Sequence, residues 1–169
     1  MGPTTINGIP AHPLWVHAVV VLVPLSVLLL VLCAAWPAAM RRAGVVLPLL
    51  ALAALVSVPL ATDSGEWLQE KVPETAAVER HTEMGDGLLP WSTGVFVLAV
   101  VLWVLYRGLL HRVVRSGGGR GDGWADRLSS DGPVLRGVAL VLALLVGAGA
   151  VVEVYRIGDS GAGAVWQNR

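Results

Sequence analysis

Apolar residues in this chain are bunched into long runs rather than alternating with polar ones. The runs are Leu14 to Trp36, Ala43 to Ala61, Leu88 to Tyr106 and Val134 to Tyr155. Each is close to the ~20 residues that an α-helix needs to cross a ~30 Å hydrocarbon core. Arg136, at the edge of the last run, is the only Lys or Arg inside them. Backbone polar groups in lipid must be satisfied within the segment, so runs of this kind form helices. The pattern predicts an all-α fold: a polytopic membrane protein whose single membrane domain, residues 1–169, is a bundle of four transmembrane helices with a short helical loop outside the bilayer.

Composition agrees. The chain is 55% hydrophobic and 14% charged, against about 25% charged in a typical soluble domain. The first run is too long for a signal-peptide core, and residues 1–13 carry no Lys or Arg, so it reads as a span rather than a cleaved leader. Cys33 is the only cysteine, which excludes an internal disulfide and a cysteine metal cage. Leu32 precedes it where a lipoprotein site wants a small residue. With zero net charge, the chain offers nothing to nucleic acid; its evident partner is the lipid bilayer.

Loop charge sets the expected orientation. Arg41, Arg42, Arg107, Arg112, Arg115, Arg120 and Arg127 fall on one side, and Lys71, Arg80, Arg156 and Arg169 on the other. The excess places the first set in the cytoplasm and both termini outside. The acidic segment "DSGEWLQEKVPETAAVERHTEMGDG" is then external. The Gly-rich "SGGGRGDGW" of the cytoplasmic loop is a linker. It is no dinucleotide fingerprint, since Trp124 stands where a glycine is required. No internal repeat is evident. Ala53, Ser57 and Ala61 on the second span and Ala139, Ala143 and Gly147 on the fourth form small-residue stripes that are expected to face each other. Trp15, Trp91 and Tyr155 at one interface, with Trp36, Trp103 and Tyr106 at the other, read as aromatic belts.

The candidate chemistry lies at the external rim. Pro13 suits a first helical turn, which puts His17 about 6 Å inside the span. Glu153 sits at similar depth in the fourth span and is the expected hydrogen-bond partner of His17. Such a pair would fix the imidazole tautomer and free the other nitrogen for a metal or a proton. In "PETAAVERHTEMGD" a helix is expected, with Ala77, His81 and Met84 on its inward face. His12, Asp63 and Asp159 complete the rim. Plainer readings stand beside these: His12 as an interfacial cap, His17 and His81 as structural ties, and Asp63 as the N-cap of a following short helix. His111 falls on the opposite side and is expected at lipid headgroups.

Four segments occur in a characteristic order across nearly the whole chain: "INGIPAHPLWVHAVVVLVPL", "ATDSGEWLQEKV", "VERHTEMGD" and "VYRIGDSGAGAVW". Together they resemble the four-helix bacterial membrane family catalogued as domain of unknown function 2231, in its actinobacterial form. The resemblance implies four spans in the cytoplasmic membrane and no settled activity. Some members are joined to a Rieske iron–sulfur domain, which suggests redox company. The family's recurrent positions correspond to His12, His17, His81 and Ser160-Gly161-Ala162, whereas Asp159 stands where relatives commonly carry histidine. If that histidine ligates metal or haem in the family, haem ligation from this position is lost here, while a carboxylate can still take a hard or borderline metal.

Three functions compete. The first is a redox protein with haem held by His17 and His81, or with a transition metal held by ligands drawn from His12, His17, His81, Glu153 and Asp159, facing an extracytoplasmic redox partner. The second is a non-catalytic accessory membrane subunit with structural histidines. The third is a small transporter or proton relay, which the apolar inner halves of the spans disfavour. No nucleophile–base–orienter arrangement supports hydrolysis.

Overall fold

A computed structural model describes residues 4–107 and 133–166. Its first feature is a hairpin that the apolar runs did not announce. Strands β1 (Thr5–Ile6) and β2 (Ile9–Pro10) pair antiparallel, Ile6 opposite Ile9. Asn7 (φ 51°) and Gly8 (φ 80°) form the turn between them. Two successive positive φ angles are what a two-residue I′ hairpin demands, and Asn-Gly meets that demand at least cost. The Ala11 N–H then donates to the Thr4 carbonyl at 2.9 Å. Ala11 is buried, so the next residue, His12, is delivered to the end of the bundle.

The helices are α1 (His12–Ala35), α2 (Pro37–Ala43), α3 (Val46–Gln69), α4 (Ala76–Gly85), α5 (Leu88–Tyr106) and α6 (Pro133–Trp166). Those containing the four apolar runs are long and apolar enough to cross a membrane. Gly44, at φ 51°, turns the chain between α2 and α3, so the long second helix starts at Val46. Helix α3 also continues past Ala61 to Gln69. Asp63 is therefore inside a helix, not the N-cap of a new one. That role belongs to Thr75, whose hydroxyl accepts the Val78 N–H at 3.3 Å and starts α4. Helix α6 runs on past Tyr155 to Trp166, making Asp159 and Ser160 helical. The segment 108–132, with His111, Arg112, Arg115, Arg120, Arg127 and the Gly-rich stretch, lies outside the described residues.

Packing corrects one expectation. Helices α1 and α5 each contact both α3 and α6, which leaves α3 and α6 diagonally opposed. The two small-residue stripes thus do not face each other. Ala53 is exposed and Ala61 only half-buried, whereas α3 buries Leu47, Ala51, Ala54 and Val58 together with Ser57 of the stripe. Gly147 on α6 faces α1: a Cβ there would come within 2.5 Å of Val27 Cγ1. Gly149 lies against the Trp91 ring. Two hydroxyls inside the spans return to carbonyls of their own helices, Ser57 to Ala54 at 2.7 Å and Ser92 to Leu88 at 3.1 Å, and so are satisfied without water. The buried Ser26 hydroxyl has no such partner among the described residues.

The order of buried positions shows a repeat that residue identity conceals. Helix α1 buries Val19, Val23, Ser26, Leu30 and Cys33; α5 buries Leu88, Ser92, Val95, Ala99 and Leu102, with the same spacing. Helix α3 buries Leu47, Ala51, Ala54 and Val58; α6 buries Ala143, Gly147, Ala150 and Val154, again with the same spacing. Carried towards the rim, these registers align His12 with His81, and Asp63-Ser64-Gly65 with Asp159-Ser160-Gly161. Two hairpins of one design, α1–α3 and α4/α5–α6, build the bundle.

Candidate functional site: a paired-histidine rim

His12 and His81 meet at the rim, their ring centroids 6.2 Å apart and their planes at 79°. Each ring rests on the second helix of its own hairpin. His12 Nδ1 lies 3.0 Å from the Ala61 carbonyl oxygen, and its Cε1 and Nδ1 atoms stand where a Cβ on Gly65 would approach to 3.0 Å. His81 Nδ1 lies 2.9 Å from Ser160 Oγ, and its Cε1 stands 2.9 Å from the position of a Cβ on Gly161. Glycine is needed at both places because the imidazole occupies the space of a side chain.

The tautomers follow from the partners. A carbonyl only accepts, so His12 Nδ1 carries the proton. Ser160 Oγ donates its own proton to the Ile157 carbonyl at 2.8 Å, so it accepts from His81 Nδ1–H. In both neutral rings Nε2 is then a lone pair, and neither Nε2 has a hydrogen-bond partner among the described residues. This is how outer-shell groups orient a metal-ligating histidine. The His81 pKa is lowered from its ordinary value near 6.5, first by partial burial and then by His12. The nearby Ile157 carbonyl, which favours the charged ring, opposes that shift in part. Helix α4 carries His81 outside the apolar stretch, with Ala77 and Met84 on the same sheltered face and Glu79, Arg80 and Glu83 exposed.

The other expected members are placed differently. His17 is exposed, and its Nδ1–H donates to the Pro13 carbonyl one turn back at 2.6 Å. It makes no hydrogen bond to Glu153. The Glu153 carboxylate instead pairs with Arg156, Oε2 to Nη1 at 3.2 Å, and its Oε1 packs against Gly87. Depth brought His17 and Glu153 to one level, but their positions around the helices do not bring them together. Asp159 is exposed and faces a groove with Arg80 and Arg156. No cluster of three or more His, Cys, Asp or Glu side chains suited to a metal occurs among the described residues. The residues that the sequence reading did not bring to the site are Ala61, assigned there to a packing stripe, and Ser64 and Gly65. The doubled Asp-Ser-Gly was the signal that could have found them.

No curated protein and no solved structure matches the chain. The DUF2231 family model, described as a predicted membrane protein, matches residues 8–169 and thereby takes in both histidine cradles. A four-span bundle matched over nearly its whole length leaves one conclusion: the chain belongs to the DUF2231 family of predicted membrane proteins.

Proposed function

We propose that the protein binds one transition-metal ion between His12 and His81 at the rim of its bundle. The observation that carries this reading is the matched pair of cradles, which turn both Nδ1–H groups into the protein and leave both Nε2 lone pairs unused. With metal–nitrogen bonds of about 2.0–2.1 Å, two imidazoles sharing an ion have centroids up to roughly 6.4 Å apart. The 6.2 Å separation falls within that limit. Solvent would complete the coordination shell, and imidazole donors suit zinc, copper, nickel or iron. Haem is supported less well, because neither histidine lines the groove between α4 and α6 or the apolar cavity beside Leu30 and Leu102. The loop charges argue that the site is extracytoplasmic in a cytoplasmic membrane, within reach of a redox partner on that side.

A second reading makes the histidines structural ties, and the same hydrogen bonds favour it. His12 fastens the start of α1 to α3, and His81 fastens α4 to α6. Metal analysis and an absorption spectrum of the detergent-purified protein, before and after loading with Co²⁺, Cu²⁺ or Zn²⁺, separate the readings. Metal binding requires about one ion per chain, lost in both His12→Ala and His81→Ala and kept in His17→Ala. Absence of any bound ion after loading, with both variants folded, leaves the structural reading. A Soret band would restore haem.

A further inference from the structure

We infer that the groove between α4 and α6 binds the headgroup of an anionic phospholipid. The groove holds about 400 Å³. Ala77, Arg80 and Met84 form one wall; Tyr155, Arg156, Asp159, Ser160 and Gly163 line the other. Each wall therefore contributes one guanidinium. Arg80 is exposed and has no hydrogen bond or ion pair among the described residues. Arg156 uses Nη1 on Glu153 and is 59% exposed, which leaves other donors for a ligand. Two forked guanidiniums facing one cleft suit a phosphate, which accepts charge-assisted hydrogen bonds from both.

Position in the bundle selects a lipid as the source of that phosphate. On α6, Val152 lies one turn before Arg156 and Leu145 two turns before Val152, and both are exposed, at 55% and 64%. The stripe is apolar up to Tyr155, 73% exposed, and becomes charged at Arg156. An acyl chain along this stripe brings its phosphate to the groove. The Asp159 carboxylate, on the same wall, accepts hydrogen bonds from headgroup hydroxyls. The ligand class is thus a phosphodiester lipid with net negative charge and a hydroxylated head, as in phosphatidylglycerol. Ser160, which holds His81, also lines this groove, but the inference rests on the two arginines and not on a bound metal.

The test is lipid retention by the full chain in native mass spectrometry, after exchange into mixed micelles of phosphatidylglycerol, phosphatidylethanolamine and phosphatidylcholine. Phosphatidylglycerol should be retained preferentially. Arg80→Gln and Arg156→Gln should each weaken retention about tenfold, the scale of one lost charge-assisted bond. Arg80→Gln decides the matter if Arg156→Gln does not fold, because Arg80 has no bond within the described protein. Equal retention of the three lipids, or unchanged retention in Arg80→Gln, overturns the inference. Preference for phosphatidylethanolamine overturns the hydroxylated, anionic class. Displacement of the bound lipid by excess inorganic phosphate would show a free-phosphate site and overturn the lipid assignment.

Discussion

His12 and His81 stand edge to face, 6.2 Å between centroids, although one opens the first span and the other belongs to α4, the short helix before the third. Their backing is matched as well: a glycine under each ring, and an acceptor for each Nδ1–H one turn earlier or beside it.

Gly65→Ala and Gly161→Ala should therefore behave alike. Each added methyl would meet an imidazole at about 3 Å, and the displacement should outweigh the gain in helix propensity by about 1 kcal/mol. Gly158→Ala is the control, since a Cβ there meets nothing within 4 Å. Thermal melting in detergent should fall for the first two and hold or rise for the third. If Gly65→Ala melts like Gly158→Ala, His12 does not rest on that glycine.

Stability should depend on pH through His81. Its folded-state pKa lies below the ordinary value, so the unfolded chain takes up the proton first. The contribution is fully present above about pH 6.5 and is lost as pH falls towards the lowered folded value. His81→Gln should flatten that part of the melting-temperature profile. A profile unchanged by the substitution would mean that His81 does not carry the dependence.

Gly147→Leu should destabilise the bundle far more than Leu144→Ala. The first drives a side chain into Val27, whereas Leu144 is 50% exposed and faces lipid. Overpacking of this kind costs about 1–3 kcal/mol or more. Equal melting temperatures would refute the close approach of α6 to α1.

At the other end, Arg136 Nη2 donates to the Ala35 carbonyl at 2.6 Å, across from α6 to the end of α1. That carbonyl lies in the last turn, where no helical partner exists. Arg136→Met keeps the apolar stem and removes the donor, so it should cost about 1 kcal/mol. Arg136→Lys should recover part of it. If methionine and arginine melt alike, the contact contributes nothing.

The sequence by itself determined the four spans, because hydrocarbon thickness and the need to satisfy backbone groups convert run length directly into membrane-crossing helices. It also placed the polar groups at one rim, since each residue's depth follows from its distance to the end of its run. The sheltered face of α4 was legible too, because that helix is amphipathic and its period is exposed in the pattern. Rotation of the spans about their axes was not. Lipid-facing and bundle-facing positions are equally apolar, so Val21 and Val23 read alike, yet the first is 60% exposed and the second 1%. That ambiguity paired His17 with Glu153 by depth, when their rotation keeps them apart. It also paired the α3 and α6 stripes, when the order of helices around the bundle sets them diagonally. Only the tertiary structure decided that His12, rather than His17, meets His81, because that choice depends on helix phase and neighbour order, which close packing fixes and hydrophobicity does not.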